Sequence, residues 1–238
     1  MQVIILSGGK GERLDPLTSV CPKGMIRING KPLLEYQLEW LKNYGVKKII
    51  FACGYLNKEI INHFGDGKQF SLEINYSIED EQLGRGGAIR KAWEMLDLNK
   101  MFIVTNGDIY TEMNLQKAIN FHKNQSGSKA TICLFPYKSS YGIVSFNDNN
   151  QVERFNEKPT LPYWINGGIY IFEYNLKKYF PFKGDHEVTV FPVLLENKLL
   201  YCYKSTEYWR SIETIKDLSE FSCEMEKLLS AKNLCLSS

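Results

Sequence analysis

Residues 2–14, Gln-Val-Ile-Ile-Leu-Ser-Gly-Gly-Lys-Gly-Glu-Arg-Leu, join an apolar run to a glycine-rich loop. The run Gln2–Leu6 is too short and too apolar for a helix, so it predicts a buried strand. The loop Ser7–Leu14 carries three glycines within four residues. Glycine lets backbone N–H groups approach a ligand closely, and α/β sheets bind ligands beyond the carboxyl ends of their strands. The stretch therefore predicts a sheet edge whose backbone donors suit phosphate oxygens.

Two common phosphate-binding motifs do not fit this loop. The P-loop pattern G-x-x-x-x-G-K-[ST] is absent, and the dinucleotide fingerprint G-x-G-x-x-G fails because Leu14 stands at its third glycine. Two cations lie nearby, since Arg13 stands two residues after Gly11 and Lys23 comes ten residues later. A tight turn without function is the alternative, but two cations beside a donor-rich loop favour a polyphosphate site.

Downstream of the loop, short apolar runs alternate with helical patterns. Strands are predicted at 46–53, 72–76, 101–105 and 130–135, and helices at 33–44, 57–64, 86–96 and 114–123. After about residue 140, Gly142–Phe146 and Gln151–Phe155 flank four turn-forming residues and predict a hairpin. Strands at 165–172 and 199–204, and helices at 187–198 and 214–229, complete the chain. The pattern predicts a Rossmann-like α/β fold, with a mostly parallel sheet and helices on both faces.

Composition excludes several functional classes. The 238 residues carry 29 Lys and Arg against 27 Asp and Glu, a net charge of +2, which gives no field for nucleic acid or an anionic membrane. Val3–Leu6 is the longest strongly apolar run near the N-terminus, too short for a signal peptide or a membrane span. The six cysteines have no CxxC spacing, and His63, His122 and His186 have no metal-ligand spacing. We expect reduced cysteines, structural histidines and a cytoplasmic protein.

The glycine-rich loop continues as Gly8-Gly9-Lys10-Gly11-Glu12-Arg13-Leu14-Asp15-Pro16-Leu17-Thr18, followed by Pro22-Lys23 and Lys31-Pro32-Leu33. It resembles the N-terminal signature of the sugar-1-phosphate nucleotidyltransferases, which is close to G-G-x-G-T-R-L-x-P-L-T…P-K-P…K-P. Glu12 stands where threonine is usual and Gly24 where proline is usual. Further segments resemble the family's base-binding loop (82–89), metal-binding Asp (106–108), E-K-P segment (157–159) and sugar-binding strand (166–170).

The resemblance implies a role for each matching residue. The implied catalytic residues are Arg13, which holds the triphosphate and the departing pyrophosphate, and Lys23, which offsets charge at the α-phosphate. Asp108 is implied to bind the cofactor Mg²⁺. The implied nucleotide-binding residues are Leu6, Gly8, Gly9, Gly11, Gln82, Gly84, Gly87 and Asp108. The implied sugar-phosphate-binding residues are Gly142, Glu157, Lys158, Asn166 and Gly168, with Lys158 holding the incoming phosphate.

One segment departs from the family pattern. Tyr208–Thr214 resembles the motif W-x-D-I-G-T, whose Asp completes the metal site, but Ser211 stands at that Asp and Glu213 at the Gly. Serine is a weak neutral ligand for a hard cation. Three explanations stay open. Glu213 reaches the metal, or Mg²⁺ is held by Asp108, phosphates and water, or the chain is impaired or engineered.

The family also implies the reaction and the organisation of the chain. Residues 77–89 most resemble guanylyltransferases, so we expect transfer of a nucleoside monophosphate from GTP to mannose- or manno-heptose-1-phosphate, releasing pyrophosphate. The alternatives are a thymidylyl-, uridylyl- or cytidylyltransferase for glucose-1-phosphate, or a catalytically impaired nucleotide-sugar-binding protein. We expect one domain over 1–238, with a nucleotide-binding core to about 135, a small β-rich sugar-binding part over 136–213 and a helix over 214–231. No additional β-helix domain, which some family members carry, is expected.

Oligomeric state is open at this level. Trp40 and the amphipathic C-terminal helix, with Leu218, Phe221 and Leu228 on one side, are candidates for a homodimer interface. The expected partners are a nucleoside triphosphate and a sugar-1-phosphate, with no nucleic acid and no membrane. Tyr141, Tyr163 and Trp164 are candidates either for a wall of the sugar site or for the core.

Overall fold

A computed structural model describes the backbone of residues 1–236 and the side chains of residues 1–226. Its strands are β1 (Gln2–Ser7), β2 (Arg27–Ile28), β3 (Lys31–Pro32), β4 (Lys48–Cys53), β5 (Glu73–Ile78), β6 (Phe102–Asn106), β7 (Ile109–Thr111), β8 (Ala130–Lys138), β9 (Ile143–Phe146), β10 (Val152–Asn156), β11 (Thr160–Phe172), β12 (Leu200–Lys204) and β13 (Trp209–Ser211). Its helices are α1 (Leu33–Asn43), α2 (Asn57–Phe64), α3 (Gly84–Ala92), α4 (Leu115–Asn124), α5 (His186–Glu196) and α6 (Ile215–Leu236).

Seven strands form the central sheet in the order β12-β8-β11-β6-β1-β4-β5. Strand β1 pairs in parallel with β4 and β6, β4 with β5, and β12 with β8. Strand β11 lies antiparallel between β6 and β8. The predicted mixed α/β fold with a mostly parallel sheet is confirmed. The expected boundary near residue 135 falls inside β8, and β11 and β12 belong to the same central sheet.

Helices cover both faces of the sheet because alternate residues of each inner strand face opposite sides. Val3 and Ile5 of β1 pack in a core with α1, α2 and α4, whereas Ile4 packs with α3 and α5. These three β1 side chains have no solvent exposure. Burying one aliphatic side chain of this size contributes about 1.5–3 kcal/mol. The continuous apolar run therefore has a physical cause, since the strand is covered on both sides.

Local signals set the ends of the helices. Pro32 precedes α1, and Gly45, two residues after its end, has φ +73°, a conformation that favours glycine. Asn114 caps α4 by accepting a hydrogen bond from the Lys117 N–H at 3.1 Å. The predicted hairpin is confirmed as β9 paired with β10, although β11 begins five residues earlier than predicted.

Both candidate interface elements contribute to the core. Trp40 is only 8% exposed and its indole N–H donates to the Met113 carbonyl at 2.8 Å, so its assignment to an interface is wrong. Phe221 and Met225 of α6 are buried beside Ile212 and Tyr110. Part of the apolar side of α6 is therefore already covered, and Leu228 lies outside the described side chains.

Cysteine and histidine environments agree with structural roles. Burial raises the pKa of the Cys53 and Cys133 thiols to about 12, and both thiols are free. The other described cysteines, Cys21, Cys202 and Cys223, are also free, and Cys235 lies outside the described side chains. The His122 ring contacts the Thr131 hydroxyl at 2.8 Å. Within the described part of the chain, no helix combines the length and apolar character needed to span a bilayer.

Candidate active site

A cleft of about 610 Å³ opens at the carboxyl ends of β1, β5 and β6. The structure brings ten predicted site residues to this cleft. From β1 and its loop come Leu6, Gly8, Gly9, Gly11 and Arg13. From other segments come Lys23, Gln82, Gly84, Asp108 and Glu213. Because β1 pairs in parallel with β6, the glycine-rich loop and the Asn106-Gly107-Asp108 turn leave the sheet side by side.

The glycine-rich loop is packed tightly against the segment that carries Lys23. Gly11 has φ +68°, and its carbonyl accepts hydrogen bonds from the Thr18 hydroxyl at 3.0 Å and from the Leu14 N–H at 2.9 Å. A Cβ atom at Gly11 would lie 3.0 Å from Thr18 Cγ2 and 3.2 Å from Lys23 Cβ. Glycine is needed here both for backbone conformation and for close approach, so the loop and Lys23 form one wall.

Lys23 and Asp108 form an ion pair inside the cleft. Lys23 Nζ lies 2.5 Å from Asp108 Oδ2, and the two side chains are 16% and 26% exposed. Asp108 Oδ1 is buried and has no hydrogen-bond partner among the described residues. Buried carboxylate oxygens are normally satisfied. One oxygen of the Asp108 carboxylate therefore has no partner within the described part of the protein, which is compatible with a ligand or an ion at this position.

Gly24 explains how Lys23 comes so close to the turn after β6. A Cβ atom on Gly24 would lie 3.0 Å from the Gly107 carbonyl oxygen and 2.6 Å from Leu34 Cγ. The distance to Leu34 Cγ is shorter than a Cβ contact tolerates. The close packing of Leu34 on this backbone therefore requires glycine at position 24. The departure from proline at this position thus accompanies close packing of Lys23 on the Asp108 turn.

A second ion pair spans the mouth of the cleft. Arg13 Nη2 pairs with Glu213 Oε2, and the side chains are 70% and 38% exposed. The Ser211 hydroxyl donates to the other carboxylate oxygen, Glu213 Oε1, at 3.2 Å. The backbone fixes this placement, because the Ile212 N–H donates to the Asp108 carbonyl at 2.9 Å. Glu213 is thus held by Arg13 and Ser211 beside the Asp108 turn.

The donor set for a metal ion is small. Within the described residues, no group of three or more His, Cys, Asp or Glu side chains is arranged to hold a metal. Asp108 offers one unpartnered oxygen, while its other oxygen contacts Lys23. Mg²⁺ keeps several waters and is commonly bound through one or two carboxylates plus substrate phosphates. The residues present therefore fit an ion that is completed by phosphate and water.

The predicted sugar-phosphate residues lie outside the wall of this cleft, in separate groups. Gly168, with φ +68°, packs on Asn106, where a Cβ atom would meet the amide Nδ2 at 2.5 Å. Asn166 lies two residues away and accepts the Gly168 N–H at 3.0 Å. These two residues therefore adjoin the cleft through Asn106, which lines it.

The remaining members of this set lie near the β9–β10 hairpin. A Cβ atom on Gly142 would lie 3.0 Å from Glu157 Oε2, so these two residues are neighbours. Lys158 has φ +46°, and its Nζ lies 3.9 Å from Glu220 Oε1 of α6. Tyr141 and Tyr163 are 79% and 65% exposed, which excludes a place in the core.

Gly87 has a packing role in this structure. It is absent from the cleft wall, and a Cβ atom there would lie 2.6 Å from the Phe182 carbonyl oxygen. Gly84, which does line the cleft, approaches the Gly184 carbonyl oxygen in the same way, at 2.7 Å. The glycines of α3 thus allow the helix to contact the segment before α5.

The predicted site residues did not include four charged residues of the cleft wall, which are Lys10, Glu12, Glu79 and Arg85. Glu79 directly follows β5, so the rule that ligand sites lie at strand ends points to it. Its Oε2 accepts the Leu83 N–H at 3.0 Å. Burial raises the pKa of the Glu79 carboxyl, against the lowering effects of the Leu83 N–H and of Lys91.

Arg85 joins the cleft to α5 through a network of charged hydrogen bonds. Its guanidinium donates to Asp185 Oδ2 at 2.8 Å through Nε and to Glu187 Oε2 at 2.8 Å through Nη2. Glu187 Oε1 also accepts from the Tyr170 hydroxyl at 2.7 Å and from the Asn166 amide at 2.8 Å. Asn166, predicted to contact sugar, is thus connected to the cleft by two hydrogen-bonded side chains. No sequence signal pointed to this partnership, because it joins residues 100 positions apart.

Sequence comparison finds curated relatives that align with more than nine tenths of this chain. The chain is 33% identical over 238 residues to the UTP--glucose-1-phosphate uridylyltransferase of Synechocystis sp., an alignment covering 91% of this chain and 61% of that protein. It is 32% identical over 244 residues to the mannose-1-phosphate guanyltransferase of Pichia angusta, covering 98% and 66%. The chain therefore spans a little under two thirds of the length of these curated relatives.

Solved structures agree with the sequence comparison. HddC from Yersinia pseudotuberculosis complexed with GMP-PN superposes with a TM-score of 0.74 and 30% identity, covering 94% of this chain and 98% of that one. A putative glucose-1-phosphate thymidylyltransferase from Bacillus anthracis has a TM-score of 0.76 at 20% identity, covering 94% of each chain, and so supports the fold alone. The model of the family described as "Nucleotidyl transferase" matches residues 2–227. With the glycine-rich loop, the Lys23–Asp108 pair and these matches together, the chain belongs to the nucleotidyl transferase family.

Proposed function

We propose that this protein transfers a nucleoside monophosphate from a nucleoside triphosphate, GTP by preference, to a sugar-1-phosphate, mannose- or manno-heptose-1-phosphate by preference. One observation carries the proposal. The glycine-rich loop, Arg13 and the Lys23–Asp108 pair line a single cleft at the carboxyl ends of parallel strands. Such a site offers cationic side chains and backbone N–H donors to the oxygens of a triphosphate. The preference for GTP is supported by the guanyltransferase relatives and by the GMP-PN complex of HddC.

The proposed reaction needs positioning and charge neutralisation more than a protein nucleophile. An oxygen of the sugar-1-phosphate attacks the α-phosphorus, the bond from that phosphorus to the bridging oxygen of the β-phosphate breaks, and pyrophosphate leaves. Lys23 has three N–H donors, one of which is directed at Asp108, so it can contact an α-phosphate oxygen while keeping this partner. Arg13 lies further out on the cleft wall, where its exposed guanidinium can hold the departing pyrophosphate.

Mg²⁺ is the proposed cofactor, and it would supply Lewis-acid neutralisation of phosphate charge. Asp108 would hold it through the buried Oδ1 atom, with phosphate and water oxygens completing the shell. Ser211 directs its hydroxyl to Glu213, and Glu213 pairs with Arg13. These contacts favour the explanation in which Asp108, phosphates and water suffice, because Glu213 already has two partners.

The acceptor sugar-phosphate is proposed to enter from the side of Asn106. Gly168 and Asn166 adjoin that residue, and Gly142, Glu157 and Lys158, which lie near the hairpin, are proposed to contact the acceptor farther from Asn106. Lys158 is 42% exposed, so its ammonium is accessible to an incoming phosphate. The division of the chain into a nucleotide-binding core and a sugar-binding part, a homodimeric state and a cytoplasmic location stay proposals of the same kind.

The experiment is a panel measurement of pyrophosphate release with Mg²⁺. Each common nucleoside triphosphate is paired with mannose-, manno-heptose- and glucose-1-phosphate. We expect the highest kcat/KM for GTP with mannose- or manno-heptose-1-phosphate. A second candidate, UTP with glucose-1-phosphate, is favoured by the identity to the Synechocystis uridylyltransferase, and the highest value for that pair would replace the first proposal. Nucleotide binding without release from any pair would indicate a binding protein instead.

A further inference from the structure

A second cavity, of about 500 Å³, opens at the amino ends of the parallel strands β1, β4 and β5, which begin at Gln2, Lys48 and Glu73. The active-site cleft lies at the opposite ends of these strands, and no described residue lines both. Strand β1 has six residues, and a strand rises about 3.3 Å per residue, so the two sites are separated by about 17–20 Å. A ligand in the second cavity therefore has its own set of protein contacts.

The wall of this second cavity is rich in lysine. Its charged residues are Lys47, Lys48, Glu73, Asp97, Lys100 and Lys123. Four ammonium groups and two carboxylates share the wall, which gives it a net charge of +2. The whole chain of 238 residues also carries a net charge of only +2, so positive charge is concentrated at this place. A concave wall of one net sign raises the local concentration of ions of the opposite sign.

Asp97 brings two of these lysines together. Its Oδ1 lies 2.9 Å from Lys48 Nζ, and its Oδ2 lies 3.2 Å from Lys100 Nζ. The Gln2 side chain, which is only 2% exposed, fixes the Asp97 backbone. Its Nε2 donates to the Asp97 carbonyl at 3.2 Å, and its Oε1 accepts the Asp97 N–H at 2.7 Å. The two ammonium groups are thus held near each other without a ligand, which lowers the entropy cost of binding one.

The other two lysines of the wall are available to a ligand. The ion pairs within the wall join Lys48 to Glu73 and Asp97, and Lys100 to Asp97, but they include neither Lys47 nor Lys123. Both of these side chains are exposed. Each lysine ammonium has three N–H donors and no acceptor. The wall therefore has more donors than its two carboxylates take up, and it lacks the acceptors that would balance them.

We propose that this cavity binds a small organic phosphate that carries at least two negative charges. Ionised phosphate groups supply the missing acceptors, and lysine is a common ligand of phosphate. The volume lies in the range of small-molecule sites, and Met101 and Ile119 in the same wall can pack against a carbon skeleton. The inference does not depend on the proposed nucleotidyl transfer, because none of these residues lines the active-site cleft.

The test uses 2,3-bisphosphoglycerate, a compact organic bisphosphate, titrated by calorimetry into the full chain while GTP saturates the cleft. The double variant Lys47→Gln with Lys123→Gln is expected to raise its Kd about tenfold or more, because two hydrogen bonds from charged donors are lost. Lys42→Gln with Lys117→Gln is the matched control. It makes the same charge change at two exposed lysines, one of them also on α4, that do not line the cavity.

Chemical modification locates the bound probe independently of affinity. Acetic anhydride acetylates accessible lysines, and mass spectrometry reads the extent of reaction at each position. We expect 2,3-bisphosphoglycerate to protect the lysines of the cavity wall and to leave Lys42 and Lys117 as reactive as before.

Binding that persists with GTP in the cleft, weakens in the cavity variant and is retained in the control variant supports the proposal. Equal weakening in both variants would assign the effect to overall charge and overturn it. Displacement of the probe by GTP would place the probe in the cleft, with the same consequence. Absence of both heat and protection up to about 10 mM probe also overturns it. Co-sedimentation with phosphatidic acid vesicles, without binding of the free bisphosphate, would instead assign these lysines to a membrane surface.

Discussion

Glu213→Gln removes one charge from the Arg13 ion pair while preserving the size of the side chain. Glu213 forms an ion pair with the Arg13 guanidinium, which the proposed mechanism assigns to the triphosphate. Glu213 is therefore a competitor of the substrate for Arg13. Its neutralisation is expected to strengthen binding of GTP in the absence of divalent metal, because Arg13 no longer has to exchange a carboxylate for a phosphate.

The size of this effect follows from solvent exposure. The Arg13 and Glu213 side chains are 70% and 38% exposed, so their ion pair belongs to the surface class, worth at most about 1 kcal/mol. That amount corresponds to a decrease of about fivefold at most in the Kd of GTP. The free energy of unfolding is expected to fall by no more than about the same 1 kcal/mol, because the change removes one exposed pair.

Calorimetric titration of GTP in the presence of a chelator measures the first effect. Glu12→Gln is the control, because Glu12 lines the same cleft and forms no ion pair with Arg13 among the described contacts. Binding of Mn²⁺ without nucleotide, measured by electron paramagnetic resonance, distinguishes a Glu213 that pairs with Arg13 from a Glu213 that binds the metal. We expect unchanged Mn²⁺ affinity. Weaker GTP binding, or lost Mn²⁺ binding, would refute the reasoning and make Glu213 a metal ligand.

Three further predictions concern the cleft and the α5 core. Lys23→Ala is expected to lower kcat by about a hundred- to a thousandfold, the usual effect of removing one preorganised charge, with the circular dichroism spectrum retained. Ser211→Asp is expected to tighten Mg²⁺ binding about tenfold by adding a carboxylate beside the Asp108 turn. Burial lowers the pKa of His186 to about 4. As the pH falls, His186 is therefore protonated in the unfolded chain before it is protonated in the folded chain. The free energy of unfolding should fall by about 3 kcal/mol between pH 6.5 and pH 4.

Contrary results are equally specific. Rates for Lys23→Ala close to those of the unmodified protein would remove its catalytic role. Unchanged Mg²⁺ dependence in Ser211→Asp would show that water already fills that position. For His186, the control is His186→Phe, which keeps an aromatic ring among Tyr170, Phe180 and Phe191 and should flatten the pH dependence measured by denaturant unfolding. An equally steep dependence in that variant would assign it to other groups.

Much of the fold was predictable because local patterns and packing agree. The run Val3–Leu6 is apolar at every position, and helices cover both faces of the strand that it forms. Leu34, Leu38 and Leu41 lie on one face of a helix and are buried as predicted. Trp40 was misplaced because an aromatic residue on a helix can face either solvent or a neighbouring element. The Trp40 indole faces inward because its N–H donates to the Met113 carbonyl, which is 73 residues away in the sequence.

The candidate site was predictable where its residues follow strands. Gly8, Arg13 and Asp108 come from the segments that follow β1 and β6, whose ends the parallel pairing brings together. Arg85 was not predictable, because its partners are set by the packing of α3 on the start of α5. The two departures Ser211 and Glu213 were visible in the sequence. Their meaning depends on the contact with Arg13, which only the three-dimensional arrangement reveals.

The position of β11 between β6 and β8 has a consequence for the order of folding. β5, β4, β1 and β6 lie within the first 106 residues and can pair in sequence, but β6 then presents an open edge. That edge is covered only when residues 169–172 pair with it, so about 60 residues must emerge from the ribosome in between. β8 likewise waits for β11 before it joins the sheet. While these residues are being synthesised, the unpaired backbone groups at the edge of β6 can pair with another nascent chain.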